Sequence, residues 1–479
     1  MINLKGKKRR LIVVSNRLPF YRTIDKNKKT VWTKSSGGLI TAMEPILKKC
    51  NGIWLGWDGL VAEDDTEDIP RLIDITEIEA GRKETSNEDS YRVGRIPIYK
   101  KELDEYYNKF SNGTLWALFH YFFEKSSIDY PSWRTYCAVN KRFAEYIDKT
   151  AETDDIIWIQ DFHLFMTPHY LRKLRPQQEI HFFLHIPFPN MDIFSILPWQ
   201  NRIMESLLCS NTVGFQHKHY LRNFMQACTA FEKERKERGL RKSHFYVNPI
   251  SIDFDAIDRA SRRNKVIERK NEIVRKAGCN KLVLGVDRID YSKGIKERLL
   301  GLEVLLDNHP ELREEFFYYQ LVVPSREKVG TYIALKKELD EIIGRINGKF
   351  STGMWTPVHY NYGTVPFDEL VALYSAADVA LVTPLRDGMN LVCKEYIAAC
   401  SDNDGVLVLS KFAGAIAEIK NCLAVNPYSI EDIAGAIYRA LRMPKNERVK
   451  RMRKMRSNIR SHNINMWLEN CLRNFELGQ

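Results

Sequence analysis

The residues best suited to chemistry in this sequence lie in the stretch Asp378–Glu395, DVALVTPLRDGMNLVCKE. Asp387 and Glu395 stand eight residues apart, just over two helical turns. A turn and the helix after it would therefore aim two carboxylates at one ligand. The elements that must position them are legible around them. Asp378–Pro384 is apolar, β-branched and free of period-2 alternation, the pattern of a buried strand. Leu385–Asn390 is a polar turn containing Gly388, and Leu391–Cys400 has the composition of a helix. A strand thus ends in a turn and then a helix amino end, where the free amides of Met389, Asn390 and Leu391 and the helix dipole favour an anion. An ordinary buried strand–helix junction with solvated charges has the same pattern. Recurrence of such edges is what separates the two readings.

They recur. A strand over Arg10–Val14 releases Ser15-Asn16-Arg17 at its carboxyl end, and Gly37-Gly38 opens a helical pattern over Leu39–Lys49. A glycine pair at a helix start lets a ligand approach the backbone, although turns use the same pair. An acidic loop is expected at Glu63–Asp68. Leu103–Phe123 is a long helical stretch rich in aromatics, Tyr107 and Trp116 among them; most read as core, and periodicity does not decide whether Tyr107 is a ligand contact. Strands at Asp155–Gln160 and Ile180–Leu184 deliver Asp161 and His185 to one edge; a histidine there is as well explained by structure as by catalysis. Lys281–Val286 is a strand that runs into Asp287–Gly294, where Arg288 and Lys293 suit a pyrophosphate. Phe317–Val323 ends beside Arg326, Trp355–Tyr360 is a further strand, and Val406–Leu409 and Leu423–Val425 complete the set. Strands alternate with helices in two halves, which predicts two doubly wound α/β domains.

The totals agree. The 479 residues exceed one core, and 44% hydrophobic with 28% charged residues is a globular balance. No apolar run reaches membrane-spanning length and no signal peptide opens the chain, so no membrane partner is expected. Nine scattered cysteines without a CxxC pair indicate neither a disulfide framework nor a zinc site, and fit a reducing cytoplasmic setting. The net charge of +12 concentrates at Arg262–Lys276 and Lys445–Arg460. Acidic residues are interspersed and no recognition motif accompanies them, so solvated helix faces, not nucleic acid, are expected there. The best metal-like candidate, Asp253-Phe254-Asp255, reads as a turn, and no metal ligand set is expected.

Taken in order, VVSNRLP (Val13–Pro19), SGGL (Ser36–Leu39), DEYYNKFSNGTLW (Asp104–Trp116), QDFHL (Gln160–Leu164), FFLHIPFP (Phe182–Pro189), DRIDYSKGI (Asp287–Ile295), RINGKF (Arg345–Phe350), TPLRDGMNLVCKEY (Thr383–Tyr396) and VNPY (Val425–Tyr428) resemble the trehalose-6-phosphate synthase family. Each motif is modest; the ordered set spans nearly the whole chain. The resemblance implies a GT-B fold, two Rossmann-like domains facing across a cleft, at 1–252 and 253–457, with a helix from about 458 to 479 rejoining the first. It implies a retaining glucosyltransferase that takes UDP-glucose and glucose 6-phosphate to α,α-trehalose 6-phosphate and UDP. No cofactor or metal is implied, a homo-oligomer is expected, and a trehalose-phosphate phosphatase is a candidate partner.

Residue by residue, the resemblance implies that Arg17, Tyr107, Trp116, Asp161 and Arg326 bind the acceptor, with Arg17 and Arg326 on its phosphate. Gly37 and Gly38 would close on the donor, and Arg288 and Lys293 would grip its diphosphate. Gly388, Met389, Asn390, Leu391 and Val392 would line the nucleotide, Glu395 would take the ribose hydroxyls, and Val365 would meet the uracil. Asp387 would bind the transferred glucose with His185 beside it. His185, Arg288, Lys293, Asp387 and Glu395 form the implied catalytic set. Departures are few: Ser351 stands after RINGKF where glycine is usual, Cys393 replaces a small residue, and Lys411 occupies a variable position. Three rivals define what must be tested. They are a non-catalytic paralogue, a basic nucleic-acid-binding protein, and a sister transferase with another acceptor or donor base.

Overall fold

The computed structural model describes residues 2–4, 7–24, 30–34, 38–63, 71–79, 90–235, 243–278, 281–326 and 330–478. Gly37 and the acidic stretch from residue 64 onward lie outside them. The chain divides into two units. Unit 1 comprises Met1–Ile250 with Trp467–Gln479, and unit 2 comprises Ser251–Met466.

Unit 1 is built on an eight-stranded sheet. Its strands in chain order are β1 (Leu11–Arg17), β2 (Ile53–Trp57), β3 (Leu72–Asp74), β4 (Arg92–Arg95), β5 (Ile156–Gln160), β6 (Glu179–Leu184), β7 (Thr212–Phe215) and β8 (His244–Val247). Their spatial order is β8-β7-β6-β5-β1-β2-β4-β3. Every pairing is parallel except that of the edge strand β3 with β4. β2, β5, β6 and β7 are buried along their whole length, and β1 up to its last residue, as expected of strands covered by helices on both faces. β1 runs through Ser15-Asn16-Arg17 and does not stop at Val14 as its composition suggests. The Ser15 hydroxyl donates to the Arg17 carbonyl at 2.6 Å and accepts from Trp54 Nε1 at 2.7 Å, which carries the polar residues along the sheet. The final segment returns to this unit: Trp467 stacks on Trp158 at 5.4 Å, and Asn248 exchanges side-chain-to-backbone hydrogen bonds with it.

Unit 2 holds a six-stranded, wholly parallel sheet: β9 (Lys281–Arg288), β10 (Phe316–Val323), β11 (Val358–Tyr362), β12 (Val379–Val382), β13 (Val406–Ser410) and β14 (Leu423–Val425). The spatial order is β11-β10-β9-β12-β13-β14. Numbered within the unit this is 3-2-1-4-5-6, the doubly wound order of dinucleotide-binding folds. Its core packs Val283, Leu299, Leu302, Tyr318, Val408 and Ile437 between sheet and helices. The basic stretch Arg262–Lys276 forms the helix Asn264–Ala277, preceded by a separate short helix, Phe254–Ser261. Asp253 caps the first through Ala256 N–H at 2.8 Å, which accounts for the Asp253-Phe254-Asp255 cluster without a metal.

Among the described residues no helix is long and apolar enough to cross a membrane, no group of three His, Cys, Asp or Glu side chains could hold a metal ion, and the eight cysteines are free.

Candidate functional site

In open α/β sheets ligands bind outside the carboxyl ends of the strands, at the point where the strand order reverses. In unit 2 that point falls between β9 and β12. β9 ends on Arg288, which is exposed and makes no hydrogen bond or ion pair among the described residues. The chain then forms a short 3-10 turn, Tyr291–Lys293, and enters the helix α1, Ile295–Asn308. Gly294 makes this turn possible: its φ is +64°, and a Cβ there would sit 2.2 Å from the Thr383 carbonyl oxygen. The close approach brings Lys293 to the loop after β12, where its Nζ donates to Asp387 Oδ2 at 2.6 Å. Asn390 Nδ2 donates to the same oxygen at 3.1 Å and Met389 N–H to Asp387 Oδ1 at 3.3 Å. Leu385 N–H donates to the Ser292 carbonyl at 2.8 Å, tying the two loops together.

The helix α2, Leu391–Ala399, begins there, capped by the Asn390 side chain on Cys393 N–H at 3.4 Å with Asn390 at a φ of +77°. Leu391 and Val392 are half-buried at its amino end, while Gly388 is buried. One turn in, Glu395 accepts from the Tyr374 hydroxyl at 2.9 Å. Burial raises its pKa and the Tyr374 hydrogen bond pulls the other way. Val365 lies in the loop after β11, at the sheet's outer edge and two strands from β9.

Beneath the turn lies a residue that the sequence did not single out. Arg298 of α1 is fully buried and donates to Asp287 at 2.6 Å, Gln320 Oε1 at 3.0 Å and Thr383 Oγ1 at 3.0 Å. Burial opposes the charged forms of both Arg298 and Asp287. In Arg298 the attraction of Asp287 prevails and its pKa is raised; in Asp287 burial prevails and its pKa is raised as well. A lone Arg in a helical run carries no mark of burial, so only its clustering with Asp287 could have hinted at this. Arg326, with its side chain 6% exposed, donates to Asp290 Oδ2 at 3.2 Å and also bonds the Tyr332 hydroxyl. Burial alone would raise Asp290, but Arg326 and Lys293 outweigh it and hold the carboxyl below its ordinary pKa.

In unit 1 the strand order reverses between β1 and β5. β1 ends on Arg17, exposed, its guanidinium without a hydrogen bond or ion pair among the described residues. Its guanidinium lies 3.9 Å from the centre of the Trp57 ring and 5.6 Å from that of Tyr107. Gly59, at a φ of +93°, leaves it room: a Cβ there would meet Arg17 Nη1 at 2.7 Å. Tyr107 stacks on His163 at 5.8 Å. It belongs to a 13-residue π-helix, Leu103–Leu115, within the helical stretch expected over Leu103–Phe123. Asn112 Nδ2 takes the Tyr107 carbonyl at 2.7 Å, and the Trp116 N–H bonds the Ser111 carbonyl five residues back. Wide helices of this kind concentrate at functional sites because they re-aim side chains. Trp116, which follows the π-helix, is buried against His120 and Phe162.

Asp161 follows β5 at a φ of +72° and accepts from the His185 backbone N–H at 3.2 Å, so the two expected residues are brought together. The His185 ring is fixed by neutral amides. Gln216 Nε2 donates to Nδ1 at 3.0 Å, and Nε2–H donates to Gln160 Oε1 at 2.9 Å. Gln216 Oε1 is taken by Ile250 N–H at 2.7 Å, which fixes this tautomer. Burial holds the imidazole pKa down, to about 3, so the ring is neutral near pH 7 and both nitrogens are occupied. A neutral ring with both nitrogens engaged is not set up for proton transfer.

Residues 9–477 match the sequence profile of glycosyltransferase family 20. The trehalose-6-phosphate synthase of Mycolicibacterium paratuberculosis is 38% identical over 477 residues, covering 96% of this chain and 94% of the relative. The α,α-trehalose-phosphate synthase (UDP-forming) of Burkholderia xenovorans, solved in complex with glucose-6-phosphate, is 33% identical with a TM-score of 0.84, covering 97% of this chain and 99% of that one. A structure from E. coli bound with UDP-2-fluoro glucose is 34% identical with a TM-score of 0.84, covering 98% and 99%.

Proposed function

The chain belongs to glycosyltransferase family 20, and we propose that the β9–β12 edge of unit 2 holds UDP-glucose and the β1–β5 edge of unit 1 glucose 6-phosphate. The chain transfers glucose from the first to the second, giving α,α-trehalose 6-phosphate and UDP. The observation that carries the assignment is the pair of cations on one turn, Arg288 uncommitted and Lys293 held at 2.6 Å from Asp387. As the glucosyl bond breaks, charge grows on the UDP phosphate. A fixed ammonium, a free guanidinium fork and the amino end of α2 are preorganised to meet it. With that much positive charge supplied by the protein, the reaction is proposed to need no metal, and the rate should be unchanged in excess EDTA.

Glu395 binds the ribose hydroxyls and Asp387 those of the transferred glucose. Arg17, braced by Trp57 and Tyr107, takes the acceptor phosphate. Retention could proceed through a glucosyl-enzyme on a carboxylate. Asp387 is a poor nucleophile, since its two oxygens already accept from Lys293, Asn390 and Met389. Asp161 is assigned to the acceptor. The proposed route is same-face transfer, with the departing phosphate taking the acceptor proton. The test incubates the protein with UDP-glucose and a panel of sugar phosphates, measures UDP release, and examines quenched protein by intact mass spectrometry. UDP release that depends on glucose 6-phosphate, without a hexosyl adduct, is expected. Release with another acceptor only would overturn the substrate assignment, and an adduct on Asp387 or Asp161 the same-face route.

A further inference from the structure

The basic segment near the carboxyl end, expected to be a solvated helix face, is shaped for more than solvation. The helix α3, Lys445–Ser461, carries Arg453, Arg456, Ser457 and Arg460 at spacings that put them on one face. That face, with Arg262 and Ser401 opposite, lines a concavity of ≈ 510 Å³ within unit 2. Its eight lining residues are four arginines, three serines and one asparagine, with no carboxylate among them.

The charge there is only half compensated. Asp258, behind the wall, accepts from Arg262 at 3.2 Å, pairs with Arg460 at 3.5 Å and also binds Arg456. Asp255 lies 3.3 Å from the outer side of Arg460. The Arg453 guanidinium has no hydrogen bond or ion pair among the described residues. Four guanidiniums therefore face two carboxylates, and two positive charges are left over. Arg456 is also immobilised. Buried between Asp258 and the last turn of α2, it donates to the carbonyls of Ile397 and Ala398 at 2.9 and 2.7 Å. A convex array of arginines would simply be hydrated. A concave one, with one member locked and hydroxyls interleaved, offers planar forks and donors to a compact dianion at little ordering cost. The volume falls in the range of small-molecule sites, roughly 300–1,000 Å³.

We propose that this concavity binds a small phosphorylated anion, through Arg453, Arg456, Arg460 and Arg262 with Ser457. It lies at the carboxyl end of α2, roughly 10 Å along the helix from the donor edge at its amino end. It is therefore separate from the diphosphate-binding turn.

The experiment is isothermal titration of inorganic phosphate into the full-length Arg17→Ala/Arg288→Ala double variant, in which both proposed substrate phosphate sites are weakened and no competing phosphate is present. One saturable equivalent is expected. Arg453→Gln added to that background should weaken it at least tenfold and Ser457→Asp should abolish it; both change exposed side chains, and in the otherwise unaltered chain each should leave kcat within twofold. No saturable phosphate heat would overturn the proposal, as would binding undiminished in both variants. Equal responses to phosphate and chloride would reduce it to charge screening and also overturn it. Displacement of phosphate by an oligonucleotide at far lower concentration would replace the small ligand with nucleic acid. Direct titrations of UDP and glucose 6-phosphate report separately on the substrate sites, so failure there is distinguishable from failure here.

Discussion

In unit 1 the first strand ends on Arg17, and in unit 2 on Arg288; both are exposed, both stand where the strand order reverses, and neither has an ionic partner among the described residues. Their surroundings differ. Arg17 rests on the faces of Trp57 and Tyr107, and in the same unit His185 is held neutral by burial with its ring fixed by two amides. Arg288 stands over three internal ion pairs, Lys293–Asp387, Arg298–Asp287 and Arg326–Asp290. The difference fits the two proposed tasks. A stable phosphate monoester needs a positioned cation, and aromatic faces position one without cancelling its charge. A departing diphosphate needs charge fixed in advance, and buried carboxylates fix cations rigidly.

The largest effect expected from breaking this contrast lies in unit 2. Arg298→Ala leaves Asp287 buried without its cation and should destabilise the protein by about 3–5 kcal/mol, read by denaturant unfolding. Combining Arg298→Met with Asp287→Leu should recover most of that loss. If the single variant unfolds like the wild type, the network is not what supports the turn.

Arg288→Ala and Lys293→Ala should each lower kcat by about 10²–10³ with the fold intact by circular dichroism. Near-normal turnover in either would remove that residue from the diphosphate.

In unit 1, Arg17→Ala removes one charge-assisted contact, about 1.5–3 kcal/mol. KM for glucose 6-phosphate should rise roughly ten- to hundredfold while that for UDP-glucose stays near its original value. A shift in the UDP-glucose KM instead would exchange the roles of the two edges.

The smallest effect concerns pH. His185 is depressed in the fold, to about 3, and would titrate near 6.5 once unfolded. Between those values the unfolded chain binds the extra proton, so this contribution is complete above about pH 6.5 and is lost as pH falls. Urea midpoints at pH 7 and pH 5 should therefore differ, by on the order of 1 kcal/mol for this group. The drop should shrink in His185→Gln; an equal drop in both proteins would assign it to other groups.

The sequence by itself determined the alternation of strands and helices, the two-sheet architecture and the residues at the strand ends. Apolar β-branched runs such as Val379–Val382 have one outcome once helices flank them, and Asp387, Arg288 and Arg17 follow within a few residues of those runs. Ordered motifs across the chain supplied the family. What the sequence left open was decided by distant segments. Lys293 meets Asp387 across 94 residues because Gly294 permits the close approach, and nothing local to either records it. Arg298 looks like any helical arginine until β9, β10 and the end of β12 enclose it. The state of His185 depends on Gln160 and Gln216, each on another strand end. The arginines of α3 become a concavity only because Arg262 and Ser401 close its far side. Periodicity reports which face of an element is apolar; which charges share that face with another element is set only when the sheet is assembled.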